Sequence, residues 1–139
     1  MSSDVPAVDL ASTSRFAAAS GFEPAEIGGT RVTGSVELGP DHHTPWGVVH
    51  GGVYCSVVES AASIGASAAV AALGQFAVGV NNNTDFVRPM TSGVLDVVAE
   101  PIQQGRTLQL WQVVLTRADD GKLVARGQVR LQNVPLPGA

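Results

Sequence analysis

The sequence predicts an α+β fold: a curved, largely antiparallel sheet of about six strands wrapped around one long central helix. Three observations lead there. Residues 42–84, a run of 43, carry a single formally charged side chain, Glu59, when histidines are counted neutral. Inside that run, the proline-free segment from Gly51 to Leu73 is rich in alanine, serine and valine, with the length and composition of a buried helix. Short β-like runs separated by turn signals lie on both sides of it. A helix that apolar must be covered, and one curved sheet is the economical cover. With 139 residues, 45% of them hydrophobic and 14% charged, one domain spanning 1–139 can bury a real core.

The elements follow in order. Residues 1–12 read as a loose terminus and Thr13–Ser20 as a short helix. Phe22–Ile27 and Arg31–Leu38 read as a hairpin turning at Gly28-Gly29. Pro40, Pro45 and Gly47 mark Asp41–Val49 as a loop. The helix starts after Gly51-Gly52 and stops at Gly74. Four strands come next, Phe76–Val87, Val94–Gln103, Thr107–Arg117 and Leu123–Val134. The breaks between them are Pro89–Gly93, Gln104-Gly105 and Asp119-Asp120-Gly121, so short that an antiparallel meander is expected.

Composition excludes several functions. Eight basic against twelve acidic residues, with no Lys/Arg run, disfavour nucleic acid as a partner. The charge is uneven, however. Residues 86–139 hold six of the basic residues against four acids, enough for a modest anion site. One cysteine, Cys55, allows no disulfide within the chain and no metal-ligand pair, and no secretory leader pattern opens the sequence. A cytoplasmic protein is expected. The helix has the length of a membrane span, but a carboxylate at its middle and the absence of flanking Lys/Arg argue against insertion. His42, His43 and His50 lack a carboxylate or cysteine at ligand spacing, so no metal and no cofactor are expected.

Glu59 marks the chemistry. A lone carboxylate in an apolar run is costly unless it is hydrogen-bonded or functional, and functional carboxylates are placed this way. It lies nine residues after His50. Backbone N–H groups at a helix start are preorganised donors for an oxyanion, and glycine at 51 and 52 lets a substrate approach them; the other reading is a glycine pair that only eases the turn into the helix. Ser63 lies at i+4 from Glu59 on the same face and is able to orient it or a water, although Ser56, Ser60 and Ser67 show that helix-packing serines also occur here.

The run from Trp46 to Cys55, with its His50-Gly51-Gly52, then Glu59, Ser63 and the later Phe86-Val87-Arg88-Pro89, resembles the hotdog-fold acyl-CoA thioesterases. The nearest likeness is to the branch acting on phenylacetyl-type, 4-hydroxybenzoyl- and dihydroxynaphthoyl-CoA, over about residues 21–133. The resemblance implies that the Gly51 N–H polarises the thioester carbonyl and that His50 holds the helix start. It also implies that Glu59 is either nucleophile or general base. Gly51 of one subunit would face Glu59 of its partner, giving a homodimer with shared sites and, by pairing of dimers, a homotetramer.

The remaining candidates concern binding. Thr44 stands where the family commonly has Gln or Asn, so the amide that would help hold the thioester is missing, and His42, His43 or a water would have to take over. Trp46 and Tyr54 are candidate acyl-pocket walls, or else core. Asn83 falls at a position often polar and site-lining in the family, with a sheet-edge or subunit contact as the other reading. Arg88 and the turn Gly105-Arg106-Thr107 are candidate contacts for the coenzyme A phosphates. Three functions are thus in play. Hydrolysis of an aromatic or medium acyl-CoA leads; non-catalytic acyl-CoA binding and a hotdog dehydratase or hydratase follow. Glu59 on the helix after His-Gly-Gly favours hydrolysis, and Thr44 keeps the binding protein open.

Overall fold

A computed structural model describes residues 14–138. The expected loose terminus at 1–12 and Thr13 lie outside the described residues. The elements are α1 (Arg15–Ser20), β1 (Phe22–Gly28), β2 (Arg31–Leu38), α2 (Gly51–Val70), β3 (Gln75–Phe86), β4 (Gly93–Gln104), β5 (Leu108–Arg117) and β6 (Leu123–Pro135). Ser14 caps α1, its Oγ accepting the Ala17 N–H at 3.1 Å. The first hairpin turns at Gly29-Thr30, one residue later than expected, because Gly28 still pairs with Arg31 in the ladder.

All six strands form one antiparallel sheet in the order β1-β2-β4-β5-β6-β3. This corrects the expected meander. Strands β4, β5 and β6 do run as one, but β3 pairs with β6, and β4 pairs with β2. The short connection after α2, a 3₁₀ turn at Ala71–Leu73 ended by Gly74 at φ 70, sends β3 back along the helix. After β3 the chain crosses to the free side of β2. Val87 and Arg88 donate backbone N–H bonds to Val124 O, and Met90, buried, accepts from the Val49 N–H at 2.9 Å. Pro89 and Gly93 announce a break but carry no information about its span.

Helix α2 buries Tyr54, Val57, Val58, Ala61, Ala62, Gly65, Ala66 and Val70 against the sheet. Its other face carries Ser56, Glu59, Ser60, Ser63 and Ser67, each half-exposed. The sheet therefore wraps one side of the helix, and the open side is a stripe of small polar residues. The whole is the hotdog arrangement. At the far end of the helix, fully buried Trp111 lies against Gly65 and donates its indole N–H to Gln109 Oε1 at 2.8 Å. Gln109, itself buried, donates to Ala66 O and to Asn133 Oδ1, tying sheet to helix. Trp111→Ala removes the largest core side chain and leaves a cavity, so an equilibrium urea titration should show about 3–5 kcal/mol less stability.

The Asp119-Asp120-Gly121 turn forms as expected. Arg117 Nη2 donates to Asp120 Oδ2 at 2.6 Å and the Lys122 N–H to Oδ1 at 3.1 Å; these bonds, Arg117's above all, hold the Asp120 carboxyl well below the usual carboxylate range.

Candidate active site

The loop before α2 is braced by its own histidines. His42 Nδ1 accepts from the Gly39 N–H at 3.2 Å, which leaves Nε2 as donor to Ser20 O at 3.1 Å. His43 Nε2 bonds Thr91 O at 2.6 Å. His42 is thus engaged through both ring nitrogens and His43 through Nε2. Thr44 braces the same loop: its hydroxyl accepts the Trp46 N–H at 3.2 Å and its own N–H donates to Val48 O at 2.7 Å. Threonine here closes a turn that puts Trp46 at its tip, 85% exposed.

His50 is the N-cap of α2, at φ −67 and ψ 131, and its Nδ1 accepts the Gly52 N–H at 2.8 Å. That bond commits Nδ1, so a neutral His50 carries its proton on Nε2. The ring lies over Gly52, where a Cβ would come within 2.8 Å of Nδ1. Among the described residues the Gly51 N–H meets no acceptor, and it stands at the positive end of the helix dipole. The glycine at 51 has a further reason. The Phe86 ring rests on its Cα, and a Cβ would overlap Cε2 of that ring. Tyr54, 3% exposed, packs beside Phe86 with ring centroids 5.8 Å apart. Burial pushes the Tyr54 phenol up, and its hydroxyl has no partner among the described residues. Tyr54 is thus mainly core; only its edge reaches a cleft of about 260 Å³ bounded by Gly51, Phe86 and Arg88.

Glu59 lies two turns further along α2, half-buried on the open face rather than sealed in the core. Its Oε1 accepts from Asn82 Nδ2 at 3.1 Å. It borders a cleft of about 400 Å³ shared with Phe16, Cys55, Ser56, Ser60 and Asn82. Ser63 follows one turn later, half-exposed. The asparagine that meets the carboxylate is therefore Asn82 and not Asn83, although both are exposed. Sequence reasoning missed Gly79 and Phe16, named Phe86 only within the Phe86-Val87-Arg88-Pro89 run, and preferred Asn83 although alternation along the strand left Asn82 with Thr84 as the other pocket-lining pair. The polar run at 81–84 signalled Asn82, but nothing local distinguished it from its neighbours.

Eight residues of helix at about 1.5 Å each separate Gly51 from Glu59 by about 12 Å within one chain. One thioester carbonyl cannot touch both. The two phosphate candidates are also apart. Arg88 Nη1 donates to Leu123 O at 2.7 Å at the start of β6, whereas Arg106 and Thr107 flank the far end, where Asn133 Nδ2 donates to Arg106 O at 3.1 Å. About ten strand residues, roughly 33 Å, lie between. Among the described residues no three His, Cys, Asp or Glu side chains cluster.

Residues 47–124 match the family model of the thioesterase superfamily. The Mycobacterium tuberculosis protein Rv1847 is 47% identical over 116 residues, 82% of each chain. Its solved structure superposes with a TM-score of 0.83, covering 87% of this chain and 97% of that one. A 1,4-dihydroxy-2-naphthoyl-CoA thioesterase of Arabidopsis thaliana is 32% identical over 126 residues, 84% of this chain and 78% of that one. The structure of thioesterase HI1161 from Haemophilus influenzae matches with a TM-score of 0.82 and 26% identity, over 90% and 86% of the two chains.

Proposed function

This chain belongs to the thioesterase superfamily, and from that premise we propose that it hydrolyses an aromatic or medium-chain acyl-CoA to the free acid and coenzyme A. Acyl-CoA thioester hydrolysis is the reaction its relatives support. The observation that carries the finer reading is Glu59, the one carboxylate on α2, held by a hydrogen bond beside an open cleft. The aromatic preference draws on the naphthoyl-CoA thioesterase among the relatives.

As general base, Glu59 takes a proton from water while the water oxygen bonds the carbonyl carbon. As nucleophile, its carboxylate oxygen bonds that carbon, coenzyme A leaves as thiolate, and water then cleaves the anhydride. Either route puts negative charge on the carbonyl oxygen, and the uncommitted N–H of Gly51 at the helix start meets it. When the tetrahedral species collapses, the thiolate leaves and takes up a proton. His50 serves by capping the helix, with Nδ1 spent on Gly52. Ser63, one turn later on the same face, makes no hydrogen bond to the carboxylate among the described residues and serves by orienting the attacking water.

The roughly 12 Å between Gly51 and Glu59 supports a site made by two subunits. So does the unpaired edge of β3, 12 residues long, along which Val78 and Val80 are exposed. Two-fold pairing there makes the dimer, and dimers pair into a homotetramer. In such an assembly Arg88 and Arg106 reach one coenzyme A only from different copies. The single cysteine and acidic balance support a cytoplasmic address. Threonine at 44, which has no amide donor, favours one second reading, acyl-CoA binding without turnover.

Incubation with benzoyl-CoA and fatty acyl-CoAs while trapping free thiol separates the two. Release from the aromatic substrate in preference to the long-chain ones is expected. Absence of thiol from all of them overturns the hydrolase reading.

A further inference from the structure

We infer that Gly79 and Asn82 of β3 are positioning residues for the Glu59 carboxylate, one by leaving room for Oε2 and the other by fixing Oε1. The inference rests on the reading of Glu59 as the reacting group. Its content is which oxygen reacts and what holds it there.

A regular strand would put residues 79 and 82 on opposite faces, since they are three apart. The ladder between β3 and β6 shifts register between Gly79 and Asn81, so one extra residue, Val80, is accommodated there. Gly79 and Asn82 consequently both face α2. At Gly79 a Cβ would overlap Glu59 Oε2 and come within 3.0 Å of Cδ, so only glycine admits this carboxylate position. Asn82 Nδ2 donates to Glu59 Oε1 and to Cys55 O, both at 3.1 Å, one amide proton for each acceptor. Thr84 Oγ1 donates to Asn82 Oδ1 at 2.6 Å, which prevents the amide from turning over.

The two carboxylate oxygens are thereby made unequal. Oε1 is engaged by a fixed donor, while Oε2 receives no hydrogen bond from the described residues and lies over a bare Cα. Oε2 is the oxygen that takes the proton or bonds the acyl carbon. Misplacement of a reacting group by about 1 Å is enough to cost two orders of magnitude in rate, so both contacts should be read in kcat.

Steady-state kinetics on benzoyl-CoA test this. Gly79→Ala should lower kcat by about 100-fold with KM changed less than about threefold and the thermal midpoint kept. In a Glu59→Asp background, where the carboxylate is already drawn back, the same Gly79→Ala change should cost less than about threefold, a coupling that a structural role would not produce. Asn82→Ala should cost about tenfold in kcat, and Thr84→Val, which touches Glu59 only through the amide, about threefold. The positioning role fails if Gly79→Ala and Asn82→Ala keep wild-type kcat while Glu59→Ala is inactive. It fails equally if Gly79→Ala costs the same factor in both backgrounds. Full activity in Glu59→Ala sinks the functional reading itself, and this inference with it.

Discussion

Glu59→Gln should lower kcat for acyl-CoA hydrolysis by about 10²–10⁴-fold and leave the fold intact. Glutamine keeps the length of the side chain and an Oε1 that still accepts from Asn82 Nδ2, so the contact seen at 3.1 Å survives. What disappears is the negative charge. A neutral amide neither takes a proton from water at neutral pH nor attacks a thioester. Because Glu59 is half-exposed on the open face of α2, its neutralisation should move the thermal midpoint little, and KM should change less than kcat. Thiol release and circular dichroism on the same preparation check both halves. Wild-type kcat in this variant overturns the assignment of Glu59.

The second large effect is a gain. Gly51→Pro removes the N–H assigned to the oxyanion while respecting the helix start, because proline is favoured at the first helical position and His50, at ψ 131, already has the extended backbone that precedes it. The Phe86 ring over Gly51 would clash with the new ring, so Phe86→Ala is carried in every chain, and Phe86→Ala alone is the reference. Gly51→Pro should then cost about 10²–10³-fold in kcat. Mixing it with Glu59→Gln chains by co-expression should restore activity to about a quarter of the reference. Half of randomly formed dimers are hybrid, and each hybrid has one site with an intact Gly51 facing an intact Glu59. Activity no higher than the sum of the parents would mean that each site lies within one chain.

Much of this protein was legible locally. The boundaries of β2 and of β6 at its start fall where the apolar periodicity and the turn residues put them, because tight turns involve residues close in sequence. Glu59 stood out for the same reason: one carboxylate in a long uncharged run needs no fold to be noticed. Helix α2, by contrast, begins two residues earlier than expected, since His50 caps it and both glycines enter its first turn. The first hairpin was misjudged by a single residue, since Gly28 and Gly29 are equal candidates until the ladder with Arg31 decides.

The rest was decided by contacts between residues far apart. Pairing of β3 with β6, and the crossing that sends β4 to β2, depends on which sheet edge is free once α2 is seated, and no local signal encodes that. The slip at Val80 turns Asn82 rather than Asn83 toward Glu59, and Gly79, unremarkable in sequence, becomes the surface the carboxylate rests on. Arg88 and Arg106, both plausible phosphate ligands in sequence, end at opposite ends of β6. By itself, then, the sequence determined the helix, the strands and the identity of the lone carboxylate, all properties of neighbours along the chain. Only the tertiary structure decided what that carboxylate touches, because strand register is a property of the whole sheet.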